Sequence, residues 1–188
     1  MTTNYCPRIH HGLTINSITN HSVSYAPCCW IKDSTTESSI NFYHNDLTNL
    51  RQFNQQDILP VLECQACISQ ETAGAQSMRQ GYLITHGKTT VEPSLQYLDI
   101  NIDYTCNLAC VTCGPELSTA WRNELGIKNI SVRPKIDQFL ETQLDPLDLS
   151  ELKEVRLWGG EPLLTNTHQQ LLEYITRRTN ASKIKLMY

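Results

Sequence analysis

Three of the eight cysteines in this 188-residue chain stand close together, as Cys106-Asn-Leu-Ala-Cys110-Val-Thr-Cys113. Thiolates at short, fixed spacings are the usual ligands of iron–sulfur clusters. A cube of four irons has four corners, so three cysteines leave one iron open to an outside ligand. An amino acid can chelate that iron through its amino and carboxylate groups. Three thiolates therefore suit activation of a bound small molecule better than four. Zinc is the competing reading, with Cys110 and Cys113 joined by Cys64 and Cys67. Forty-two residues separate those two pairs, against roughly 15–20 in a zinc ribbon.

A second motif, Trp158-Gly159-Gly160-Glu161-Pro162, lies downstream. Paired glycines at a strand end let the backbone approach a ligand closely. A carboxylate beside them can accept charge-assisted hydrogen bonds from an ammonium group. The same pattern alone is more often a tight turn. The remaining cysteines are Cys6, Cys28, Cys29, Cys64 and Cys67. Four of them are enough for a second metal site, iron–sulfur or zinc, since all-sulfur sites suit either. Cys28 and Cys29 are adjacent, and neighbours seldom bridge because the geometry is strained. The six histidines are not grouped at ligand spacing and read as surface or satisfied side chains. Trp30, Trp121 and Trp158 read as packing residues. Arg177 and Arg178 read as complements to a helix dipole.

These motifs need elements to hold them. Leu95 to Ile102 reads as a strand, with the cysteine triplet on the loop straight after it. Pro115 suits the first turn of a helix running to Leu125. A helix over Pro134 to Gln143 follows, then a strand from Lys153 to Trp158 that ends at the glycine pair. Thr165 starts a helix with Leu171, Leu172 and Ile175 at helical spacing, and Ser182 to Tyr188 begins a third strand. Alternating strands and helices imply an α/β fold with parallel pairing. Upstream, Gly12 to Asn16 and Ser22 to Ala26 read as the two strands of a hairpin. Asp46 caps a helix to Gln56, and another runs from Cys67 to about Gln80.

Composition narrows the classes. Hydrophobic residues make up 40% and charged residues 18%, which is a globular balance. The net charge of -4 is spread along the chain, with no basic block to mark a nucleic-acid partner. No apolar run approaches the roughly 20 residues of a membrane helix. The N-terminus lacks the apolar core of a signal peptide, so a cytoplasmic protein is expected. In a reducing compartment, clustered cysteines suggest metal rather than disulfides.

The triplet together with the Gly-Gly-Glu element resembles the radical S-adenosylmethionine (radical SAM) superfamily. The resemblance implies a 4Fe-4S cluster on Cys106, Cys110 and Cys113, and S-adenosylmethionine on its open iron. It implies that Gly159, Gly160 and Glu161, followed by Pro162, meet the methionine amino group. The position before the third cysteine, usually aromatic in the family, is Thr112; its backbone is expected against the adenine. Electron transfer from a flavodoxin- or ferredoxin-type donor would cleave the sulfonium bond and yield a 5′-deoxyadenosyl radical. The fold implied is a partial (β/α)6 TIM-like barrel, begun by residues 91–188. Residues 1–90 resemble the auxiliary-cluster modules called SPASM or twitch. That resemblance implies a second 4Fe-4S cluster on Cys6, Cys28, Cys64 and Cys67, with Cys28 preferred to Cys29. Such modules usually follow the barrel; here the stretch precedes it. The likeness further suggests a peptide or protein substrate. The last strand is expected to need further strands beyond Tyr188, so the piece alone is expected not to sustain turnover. The rival reading is a non-catalytic cysteine-rich module holding zinc or iron–sulfur.

Overall fold

The computed structural model describes residues 3–31, 34–60, 62, 64–88, 92–101, 103–128 and 135–188. Ile102 and Pro134, the ends of an expected strand and an expected helix, lie outside them. The protein is α/β, with one mixed sheet of six strands among the described residues, in the order β3-β2-β1-β4-β5-β6. The strands are β1 (Gly12–Ile18), β2 (Val23–Ala26), β3 (Thr35–Glu37), β4 (Tyr97–Asn101), β5 (Glu154–Trp158) and β6 (Lys185–Met187). As the alternation indicates, β1 and β2 form an antiparallel hairpin, closed by Thr19 N–H donating to Ser22 O at 2.8 Å. The sheet does not stop at the boundary suggested near residue 90. Strand β1 pairs in parallel with β4, Gly12 opposite Tyr97 and Ile15 opposite Ile100. β4, β5 and β6 continue in parallel. The strands β1, β4, β5 and β6 thus end on one side of the sheet.

The two faces of the parallel strands differ in chemistry. Leu13, Ile15, Leu98, Ile100, Val155 and Leu157 point to one face and are buried with Phe139, Leu144, Leu171 and Ile175. Each such side chain contributes about 1.5–3 kcal/mol on burial. The covering helices are α6 (Ile136–Phe139), which widens into a π turn over Leu140–Leu144, and α7 (Asn166–Arg178). Thr165 stands at the N-cap of α7, and Leu171 and Ile175 form its buried stripe.

The opposite face carries Thr14, Asp99, Glu154 and Arg156. Against it lie α1 (Pro7–His11) and α4 (Met78–His86). Arg8 of α1, fully buried, donates to both Asp99 carboxylate oxygens at 2.6 and 3.3 Å and to Thr14 Oγ1 at 3.1 Å. Burial works against the Arg8 charge, and Asp99, together with Cys28, Tyr82 and Cys29, more than offsets it. On α4, Tyr82 donates to Glu154 and packs edge-on against Tyr97, their centroids 4.8 Å apart. The cysteine-rich stretch is thereby locked to the sheet by buried polar groups.

Local chemistry moved three expected boundaries. The helix expected from Cys67 to Gln80 is two, α3 (Gln65–Thr72) and α4. Gly74 breaks the run at φ +77°, and Ser77 with Gln80 forms a capping box that starts α4 afresh. The helix α2 (Asn45–Gln55) is capped by the His44 side chain, which accepts Asp46 N–H, and not by Asp46. Pro115 lies in a turn; α5 (Thr119–Glu124) begins only after Ser118, whose hydroxyl accepts Trp121 N–H.

Candidate functional site

The two motifs meet at the C-terminal ends of adjacent parallel strands, where α/β folds place their sites. The cysteine loop leaves β4, and the glycine turn leaves β5 beside it. Both glycines take left-handed backbone, Gly159 at φ +84° and Gly160 at +57°. A Cβ on Gly160 would lie 2.7 Å from Thr105 O and 2.8 Å from Asp103 O. A Cβ on Gly159 would strike the Asn101 side chain at 2.4 Å. The glycines are therefore required by how closely the turn packs on the end of β4 and on the cysteine loop. Two backbone hydrogen bonds join them: Gly160 N–H to Leu117 O and Glu161 N–H to Thr105 O, each 2.8 Å. Glu161, half-buried, accepts Leu163 N–H at 3.2 Å and so caps the short 3-10 turn Pro162–Leu164. A small cavity beside the turn is lined by Asp103, Trp158, Gly159, Pro162, Thr165 and His168.

Within the loop, Cys110 and Thr112 are exposed and Cys106 and Cys113 are partly so. Cys113 N–H donates to Cys110 O at 3.0 Å, a turn that keeps these two cysteines together. Residues that sequence reasoning passed over hold the rest of the loop. Ser118 Oγ donates to Leu108 O at 2.8 Å, and Trp121 Nε1 donates to Cys110 O at 2.9 Å. Trp121, read from sequence as a packing residue, thus has a polar task on this loop. Arg122 donates to Pro115 O and lies 4.2 Å over the Tyr104 ring. The available signal was Ser118, a good N-cap residue just before Thr-Ala-Trp-Arg.

The four other candidate ligands lie away from this loop, in two separate apolar groups. Ala26 pairs with Thr14 near the start of β1, which places the following Cys28 toward the start of the parallel strands. Cys6, Cys28, Cys64 and Cys67 are all buried, whereas Cys29 is exposed. Cys6 packs with Ile9 and Cys64. Burial pushes the Cys6 thiol up, and the nearby Cys67 adds to this. Cys28 sits in a neighbouring apolar group with Ala26 and Ile31, and Leu50 packs on both groups. The Cys28 thiol hydrogen-bonds Cys29, which pushes Cys28 well up and brings Cys29 down to about 7. His10 and His11 are buried and satisfied, His10 by Asn54 at 3.2 Å and His11 by Ser94 O at 3.1 Å. Burial lowers His10 to about 4 and lowers His11 as well.

All eight cysteines are unbridged. Among the described residues no three His, Cys, Asp or Glu side chains converge as they would on a single metal ion. Cys64 and Cys67 therefore do not assemble with Cys110 and Cys113 into a zinc site. A four-iron cube binds each thiolate at a different iron, so its ligands need not converge on one point. The donor set fits that group: three unbridged thiols on one loop, none sunk in an apolar core. Among the described residues, no helix is long and apolar enough to cross a membrane. No known protein family, curated protein or solved structure matches the chain.

Proposed function

We propose that this chain is a radical S-adenosylmethionine protein whose catalytic cluster is held by Cys106, Cys110 and Cys113. The observation that carries the reading is the pair of 2.8 Å backbone hydrogen bonds between the glycine turn and the cysteine loop. They bring the two motifs of the signature, more than forty residues apart in sequence, into one rigid corner. Once reduced by a flavodoxin- or ferredoxin-type donor, such a cluster supplies the electron that splits the sulfonium bond and yields a 5′-deoxyadenosyl radical. The chain's own residues bind and orient. The backbone at Thr112 faces the adenine, and Gly159, Gly160 and Glu161, with Pro162 behind them, receive the methionine ammonium. The four parallel strands are the beginning of a partial (β/α)6 barrel. Their polar face, with Asp99 and Arg156, is its interior. Cys6, Cys28, Cys64 and Cys67 hold a second, auxiliary cluster. The substrate is a peptide or protein, modified in the cytoplasm.

Electron paramagnetic resonance tests the reading. The protein is reconstituted anaerobically with iron and sulfide and reduced with dithionite. Its spectrum is recorded with and without S-adenosylmethionine. Binding to the open iron alters the reduced cluster's signal, and Glu161→Gln weakens that response. Superimposable spectra at saturating S-adenosylmethionine would refute the assignment.

A further inference from the structure

Between Asp103 and Ser118 the cysteine loop has no regular secondary structure, so its backbone groups must find partners elsewhere. Several come from one turn of α5. Thr119 Oγ1 accepts Cys106 N–H at 3.0 Å and donates to Cys106 O at 2.8 Å. One hydroxyl thus satisfies both backbone groups of the first cysteine. Trp121 Nε1 donates to Cys110 O, the same carbonyl that receives Cys113 N–H. The indole therefore braces the turn that presents the second and third cysteines. In the reverse direction, Thr119 N–H donates to Tyr104 O at 3.0 Å, tying the helix start to the beginning of the loop.

We propose that Thr119 and Trp121 are positioning residues for the cluster: Thr119 sets the backbone of Cys106, and Trp121 sets that of Cys110 and Cys113. The proposal rests on the reading of the triplet as an iron–sulfur site. Three thiolates on a loop must be presented in a fixed arrangement to share one cube. Side chains that orient metal ligands in this way typically govern affinity by about 10–100-fold. Neither role depends on side-chain volume. Thr119→Val keeps the shape and removes the hydroxyl; Trp121→Phe keeps an aromatic ring and removes the N–H.

The experiment uses the full chain, reconstituted anaerobically, with the Cys106→Ala/Cys110→Ala/Cys113→Ala protein as the blank for iron held elsewhere. Iron release to a chelator is timed, and the reduced cluster's resonance spectrum is recorded. Thr119→Val and Trp121→Phe are expected to release the triplet's iron about 10–100-fold faster and to shift its spectrum. Thr119→Ser, which restores the hydroxyl, is expected to return both to wild type. Hydrogen exchange of the apo-protein gives a readout free of metal: Thr119→Val speeds exchange at Cys106 while α7 is unchanged. Wild-type release rates and spectra in both variants would overturn the positioning role and leave the cluster assignment standing. Equal iron in the wild type and the blank would overturn the assignment itself, and this role with it.

Discussion

The two groups of cysteines differ in every physical respect. Cys106, Cys110 and Cys113 ride on a loop without secondary structure, at the C-terminal ends of the parallel strands, with their sulfurs at or near the surface. Cys6, Cys28, Cys64 and Cys67 are buried; Cys6 and Cys64 pack with Ile9, and Cys28 packs with Ala26 and Ile31. A group that must meet a diffusing cofactor has to be reachable, and a loop on a rigid sheet provides that. A group that staples a fold has to be enclosed. Any metal bound there would be coupled to folding, because its ligand thiols must lose their protons. Elemental analysis of the triple-alanine protein decides whether that region holds metal, and which. The difference predicts that changes in the buried region cost stability, and changes on the loop cost binding.

The largest effect falls on the buried pair. Asp99→Ala leaves the Arg8 charge uncompensated in the interior and costs about 3–5 kcal/mol. Urea unfolding measures this. Replacing both partners together, Arg8→Met with Asp99→Leu, recovers most of the loss. A small cost for Asp99→Ala alone would show that water reaches this face.

Acid titration is the next test. The unfolded-state His10 takes up its proton near pH 6.5, whereas burial holds the folded one down to about 4. The unfolded chain therefore binds more protons within this window. Stability contributed by neutral His10 is complete above pH 6.5 and is lost as pH falls toward 4. The loss is roughly 3 kcal/mol for His10, and His11 acts in the same direction. His10→Gln flattens the profile in that window. A profile identical to wild type would mean that His10 is solvated.

A smaller effect is expected at the junction. Gly160→Ala must hold a left-handed backbone and push on Thr105 O. The strain is about 1–3 kcal/mol, and it loosens the turn from the cysteine loop. Weakened response to S-adenosylmethionine with a modest fall in melting temperature is the expected signature. The smallest effect is on the stability of the metal-free triple variant Cys106→Ala/Cys110→Ala/Cys113→Ala. Surface substitutions cost about 0.5 kcal/mol or less each, so its unfolding midpoint stays close to wild type. A large drop would move the triplet into the structural class.

Much of the site was legible because its parts are local. The cysteine spacing, the strand before it and the glycine pair at the end of the next strand each lie within a short stretch, and alternation marks both strands. Parallel pairing then places the two loops side by side. The pairing of β1 with β4 was not legible, since Gly12 and Tyr97 are far apart in sequence and register depends on the whole sheet. The Arg8–Asp99 pair was hidden for the same reason. The break between α3 and α4 did carry a signal, Ser77 with Gln80 three residues on, which helical periodicity overrode. The roles of Thr119 and Trp121 were hidden because a hydroxyl and an indole have no pattern that announces a carbonyl partner.

Iron counting tests most directly whether the triplet holds a cluster. Wild-type protein and the triple-alanine variant are reconstituted anaerobically, desalted, and assayed for iron and acid-labile sulfide per chain. The variant is expected to lack about four irons and four sulfides while keeping whatever metal Cys6, Cys28, Cys64 and Cys67 hold. Iron and sulfide unaltered by loss of Cys106, Cys110 and Cys113 would contradict it.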